Sequence, residues 1–302
     1  MHRTEKTYPQ SVIGLSEEEL YVILKLLQAP MIAGINLSRF QESSNGHPSE
    51  QVTGAISAAT KGLIARGYLM PLQDESEKPL IFGPSQEERR QPWHRATMPD
   101  EVQVPVAVSA FADKSLLLTW HTASGRDLLY VHERDGLFVI IASMLVGIFT
   151  FTSLTDWEAV WQTIANKFPL QEQEQLQPPL PTIKLRHETL MSLQEYSSRQ
   201  EEEQHEFYTR LIQAGLSTST AQAILEIFKQ VLLVATFQML EKNKANDKQP
   251  HHLTLMITKQ CYLVAEPQGD ADGTLRIHQA TAQEIKDIVY ALWSGTPASQ
   301  LP

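Results

Sequence analysis

Ten histidines, one cysteine and a few runs of carboxylates are the residues from which any chemistry would have to be assembled. His251 and His252 are adjacent, so on a strand they would point to opposite faces and could not share a metal ion; a loop-exposed pair is expected. His121 and His132 each close a strand-like run and could approach one another as ligands or as a base, or stand apart as solvated rim residues. Cys261 is the only thiol, which leaves no intrachain disulfide and no multi-thiolate metal site, and a buried strand position is expected for it. GDADGT, residues 269–274, opens like a calcium loop but lacks the further ligands and the closing Glu; Asp272-Gly273 reads as a hairpin turn instead. Glu201, Glu202 and Glu203 read as a solvated helix face, and TASGRD, residues 122–127, as a hairpin connection. Neither G-x-S-x-G, a phosphate-binding loop, a dinucleotide fingerprint nor H-E-x-x-H occurs. No nucleophile is spaced with a base and no two carboxylates share a site. A non-enzymatic protein is therefore expected, with no catalytic, cofactor-binding or metal-binding residue, no cofactor, and unknown partner-binding residues.

The elements that would carry these residues follow from periodicity and punctuation. A helix is expected over 16–28, because Ser16 at the N-cap with Glu19 three residues on forms a capping box, Leu20, Ile23, Leu24 and Leu27 share a face, and Pro30 stops it. A second over 49–66 turns Val52, Ile56, Ala59, Leu63 and Ile64 inward and ends at Gly67. Residues 74–101 read as a long loop or wing. Strands are expected at 104–111, 115–121, 127–133 and 136–142, with a fifth over 146–152; runs such as LLLTW and LFVII suit strands covered on both faces. The uncharged stretch 136–155 is as long as a spanning helix, but its Ser and Thr content and its flanks without Lys or Arg favour two buried strands. A helix over 155–168 follows, then a Gln/Pro-rich linker over 169–182. Helices are expected over 185–214 and 218–240, strands at 253–259, 261–266 and 274–279, and a closing helix over 281–293.

The step KGLIARGYLMPL, residues 61–72, invites a DNA-reading interpretation, since a helix running through Gly into an extended segment is how winged helices look. Charge argues the other way. The chain carries 35 acidic and 25 basic residues, a net charge of −10, whereas nucleic-acid affinity rests on neutralising phosphates. The second helix brings only Lys61 and Arg66, both at its C-terminal end, and Glu50 stands where recognition residues usually sit. Arg89, Arg90 and Arg95 lie in the loop beyond. No nucleic-acid partner is expected. MHRTEKTYPQ has no apolar core behind its basic start, so no signal peptide is expected.

The chain also echoes itself. GLIARGYLM (62–70) is matched by RLIQAGLST (210–218), and the closing helices superpose at a shift of 128 residues, Trp157 on Ile285, Val160 on Ile288, Trp161 on Val289 and Ile164 on Leu292. The expected organisation is an N-terminal half over 14–168, a linker over 169–183 and a C-terminal half over 184–294, together one combined domain.

This order — a helix pair ending in LIARGYL, strands and TDWEAVW, restated by LTLMITKQCYLVAEP, a GDADGTLRIHQA return and TAQEIKDIVYALW — resembles the EspG-type chaperones of ESX (type VII) secretion over residues 14–294. The resemblance implies an α+β fold of two related halves in quasi-two-fold arrangement, with a central, largely antiparallel sheet flanked by helical bundles. It implies a cytoplasmic, protein-binding role: holding the apolar tip of a helical-hairpin secretion substrate, of PE–PPE or WXG-like type, with no membrane insertion. EKNKANDKQP and ERRQPWHR find no counterpart, and no contact residue carries over; oligomeric state stays open. The alternatives are a winged-helix regulator and, third, a ligand-binding or enzymatic α+β domain.

Overall fold

The computed structural model describes residues 11–40, 50–71, 96–122, 125–168, 170, 180–186, 190, 201–213, 215–241, 252–267 and 273–296. The described chain opens on a strand, β1 (Val12–Ser16), whose last residue caps helix α1 (Glu17–Leu26). Ser16 Oγ accepts the Glu19 N–H at 3.2 Å and Glu19 Oε2 accepts the Ser16 N–H at 2.9 Å, the capping box expected from the sequence. Leu20, Ile23 and Leu24 are buried. Helix α2 (Glu50–Ala65) ends at Gly67, whose φ of +71° is the left-handed stop that glycine favours. Met70–Pro71 (β2) and Ala96–Thr97 (β3) form a two-strand ladder at the base of the segment 72–95, which lies outside the described residues together with Arg89, Arg90 and Arg95.

Residues 100–110 correct the first strand assignment. They form helix α3 (Asp100–Ala110), not a strand over 104–111. Pro99 sits at the N-cap and Asp100 and Glu101 occupy the first turn, where carboxylates meet the positive end of the helix dipole. Val102, Val106 and Val108 are all buried, so the β-branched run that mimics a strand belongs to a helix covered nearly all round.

Strands β4 (Lys114–Thr122), β5 (Gly125–Arg134), β6 (Leu137–Leu145) and β7 (Ile148–Leu154) then follow as expected. Asp135 and Gly136, with φ of +53° and +79°, make the two-residue β5–β6 turn that needs left-handed backbone. The uncharged stretch is thus two strands, and no helix among the described residues is long and apolar enough to cross a membrane. Helix α4 (Trp157–Ala165) comes next, with Val160, Trp161 and Ile164 buried.

Residues 171–179 of the linker lie outside the described residues. Two corrections follow it. Leu185 belongs to strand β8 (Ile183–Arg186), not to a helix. After helices α5 (Glu201–Gln213) and α6 (Thr218–Phe228), residues 231–241 form strand β9 (Val231–Glu241), so the helix expected to reach 240 stops at Phe228. Leu233, Ala235, Phe237 and Met239 are buried on alternate positions, and this period of two was the stronger signal. Strands β10 (His252–Thr258), β11 (Tyr262–Pro267) and β12 (Thr274–Ala280) and helix α7 (Ala282–Ser294) stand where expected.

The fold is α+β with a ten-stranded antiparallel sheet in the order β1-β7-β6-β5-β4-β9-β10-β11-β12-β8, and seven α-helices longer than eight residues among the described residues. The strand order repeats. In each run an opening strand (β1, β8) precedes helices, a four-strand meander follows, the opening strand pairs with the last strand of the meander, and a helix closes. The echoed helix ends also share their cap. Tyr68 N–H reaches Leu63 O and Gly67 N–H reaches Ile64 O, while Leu216 N–H reaches Leu211 O and Gly215 N–H reaches Ile212 O. Aligned by their caps, the closing helices compare at a shift of 125 residues. Asp156 Oδ1 caps α4 through Ala159 N–H and Thr281 caps α7, and aligning the caps sets buried Val160, Ile164 and Phe168 against buried Ile285, Val289 and Trp293.

By compactness the chain divides into two units, Met1–Ser115 with Leu129–Val160, and Leu116–Leu128 with Trp161–Pro302. In the first, α1 packs on α2 and α3, and α3 on β6 and β7. In the second, Leu211 of α5 and Ala221, Ile224 and Phe228 of α6 join Met256, Leu263 and Ile277 of the sheet in one apolar cluster, while α7 meets β9 and β10.

Candidate partner-binding surface

The residues singled out for chemistry do not converge. His132, on β5, is fully buried; its Nδ1 shares a 2.8 Å hydrogen bond with Ser115 Oγ and its ring stacks on Tyr130 at 6.0 Å. Tyr130 in turn donates to Gly34 O at 3.0 Å. His121 is exposed and lies six residues beyond Ser115 on β4, about 20 Å along an extended strand. The two histidines therefore form neither a ligand pair nor a general-base pair: His132 sits in an interior network and His121 at the strand's far end. Cys261 is the buried thiol expected, with burial raising its pKa and the Thr258 hydroxyl beside it at 3.6 Å from Sγ. His252 lies half-buried on β10 opposite Gln238, while His251 is outside the described residues. Gly273, with φ of +64°, stands just before β12; Asp272 and the rest of the connection from β11 are outside the described residues. The side chains of Glu201, Glu202 and Glu203 also lie outside them.

Among the described residues no group of three His, Cys, Asp or Glu side chains could hold a metal ion. Two concavities among them, one lined by Val104, Phe138 and Leu154 and one by Leu180, Phe228 and His278, enclose about 10 Å³ each, room for a water molecule. Pockets for small ligands run to about 300–1,000 Å³.

Three of the four basic residues around the winged-helix-like step, Lys25, Arg39 and Arg66, are engaged within the chain, while Lys61 is exposed. Arg39 Nη2 meets Glu17 at 2.7 Å and Glu18 at 2.6 Å, and Lys25 lies over the Tyr21 ring. Arg66 has a half-exposed side chain with three partners: it pairs with Glu19, donates to Gly14 O at 3.0 Å and lies over the Tyr68 ring at 4.5 Å. Leu63 and Leu69 on either side are buried, as expected. The placement has a purpose that the β1–β7 register makes plain. Ser153 N–H bonds Ser11 O and Glu17 N–H bonds Gly147 O, so odd-numbered residues of β1 face β7 and Val12, Gly14 and Ser16 face the open edge. Arg66 takes the Gly14 carbonyl and Glu19 takes the Ser16 N–H. One ion pair thus blunts an edge strand, VIGLS, that carries no charge of its own.

A surface fit for a protein partner appears on β9. One face of this strand is closed: Phe237 contacts Phe168 at 6.3 Å and Phe168 meets Trp120 edge-on at 5.9 Å. The other face carries Leu232, Val234, Thr236, Gln238 and Leu240. Helices α5 and α6 pack with Leu185, Met256, Leu263 and Ile277 of β8, β10, β11 and β12, and on β9 Val231 and Val234 lie against that cluster. Thr236, Gln238 and Leu240 remain half-buried, and Leu232, at a bulge where the β9–β10 register shifts, is 48% exposed. A bulge re-aims a side chain in this way. The five residues span about 26 Å of mixed apolar and polar side chains, with Leu232 exposed and the others half-buried. The sequence concealed this strip because residues 218–240 read as one helix.

No protein-family profile and no curated protein matches the chain. The fold is shared with the Mycobacterium tuberculosis type VII secretion system chaperone EspG5, solved in complex with the PE25–PPE41 dimer: TM-score 0.59, 11% sequence identity, with 97% of each chain covered. At that identity the likeness is one of fold.

Proposed function

We propose that this protein is a non-enzymatic chaperone that binds a helical-hairpin secretion substrate and holds it in the cytoplasm. The observation that carries the reading is the fold shared along 97% of both chains with a chaperone solved in complex with a PE–PPE dimer. The β9 strip is the surface we assign to the partner, with Leu232 and Leu240 meeting its apolar tip and Thr236 and Gln238 its polar groups. The internal engagement of Arg39 and Arg66 supports this reading over a DNA-binding regulator.

The test is capture from the native cell with the tagged protein, identification of stoichiometric partners, and reconstitution of the purified pair. A small helical-hairpin protein in a 1:1 complex is expected. Leu232→Glu with Thr236→Arg should weaken that complex at least tenfold, since charge would be buried against an apolar tip, while the circular dichroism spectrum is unchanged. A partner that binds the double variant as tightly as the parent removes the strip, and absence of any helical-hairpin partner removes the function.

A further inference from the structure

At the far end of the strand order, β8 pairs on one side with β12, and among the described residues no strand pairs with its other side. Ile183 is half-buried and Leu185 is 2% exposed, so the alternating positions Lys184 and Arg186 turn the other way, and both are exposed. The register places Lys184 directly opposite Arg276, also exposed, and Arg186 opposite Thr274. Like charges directly across a ladder destabilise it. A chain of net charge −10 nevertheless gathers three cations here, and the acidic neighbour across from Arg276 on β11 is Glu266, 4.0 Å from His278 Nδ1. The opposite edge of the sheet is handled differently, with an uncharged β1 closed by Arg66 and Glu19.

We propose that the β8 edge accepts an extended acidic peptide, which adds as a further strand and sets alternate carboxylates against Lys184 and Arg186, with Arg276 one strand behind Lys184. The spacing favours this occupant. Lys184 and Arg186 repeat at the two-residue step of a strand, about 7 Å, which is the step at which a paired strand presents every second side chain. A second copy of this chain would bring its own Lys184 and Arg186 against the first pair, a repulsive match. A nucleic acid would be served by stacking rings, and neither β8 nor β12 carries Phe, Tyr or Trp. This edge is distinct from the β9 strip, so its failure leaves the chaperone reading untouched.

The test is fluorescence anisotropy on the full chain with three labelled probes. These are a seven-residue peptide alternating Glu with Val or Thr, the same peptide with its central apolar residue replaced by Pro, and a short oligothymidylate. The alternating peptide should bind with an affinity that falls as salt rises, and Lys184→Glu with Arg186→Glu should weaken it by about tenfold or more. The Pro peptide should bind much more weakly, because Pro cannot continue the ladder. Hydrogen exchange at residues 183–186 should slow in the complex. Equal binding of the alternating and Pro peptides, tighter binding of the oligonucleotide, or an unchanged affinity in the double variant overturns the proposal.

Discussion

Arg66→Ala tests whether the helix-to-sheet step is a structural joint or a reading head. In the structure this side chain is 40% exposed and its partner Glu19 is 14% exposed, so the ion pair is screened and contributes about 0.5–1 kcal/mol. The bond to Gly14 O contributes about 1 kcal/mol, and the Tyr68 contact about 0.5 kcal/mol at an exposed site. The three share one guanidinium and are not additive, so about 2 kcal/mol is expected in all. In urea, with a slope of about 2–3 kcal/mol per molar, the unfolding midpoint should fall by roughly 0.7–1 M. Arg66→Lys keeps the pairing with Glu19 but cannot also lie flat on Tyr68 and donate to Gly14, so it should recover about half of the loss. Uncapping the Gly14 carbonyl should also make Arg66→Ala self-associate with rising concentration, which light scattering would detect. Midpoints equal to the parent in both variants, with Arg66→Ala monomeric throughout, would refute the joint.

The remaining predictions address the interior and the pH response. Gly34 has φ of +85°, and a Cβ there would overlap the Tyr130 ring that bonds its carbonyl; Gly34→Ala should cost about 3 kcal/mol, seen as a lower unfolding midpoint. Adding Tyr130→Ala removes the overlap, so the double variant should cost less than the two single changes together. His278 has its pKa lowered by burial foremost and by Arg276, against the opposing pull of Glu266 and Glu284. In acid the unfolded chain takes up a proton that the folded chain resists, so this contribution to stability is complete above about pH 6.5 and is lost as pH falls through the lowered pKa. His278→Gln should flatten the slope of stability as pH falls below about 6.5.

Legibility in the sequence followed the range of the interaction. Ser16 with Glu19 and the Gly67 stop were readable because each depends on neighbours within four residues. Residues 100–110 and 229–241 misled because apolar β-branched runs are compatible with a buried helix as well as a strand, and which one forms depends on what covers it. The two closing helices α4 and α7 carry similar apolar patterns, and since apolar residues recur each turn the sequence alone does not fix how they compare; their caps do.

Composition, charge and local pattern by themselves determined an acidic α+β chain with a single thiol and the positions of most turns and caps. Only the tertiary structure decided how far each residue of β9 is buried, that Arg66 reaches Glu19 and the Gly14 carbonyl, and that His132 is buried while His121 is exposed. Those outcomes depend on strand order and register, which join residues such as Gly14 and Arg66 that lie 52 positions apart. A periodic pattern records which face of an element is apolar, but not which other element arrives to cover it.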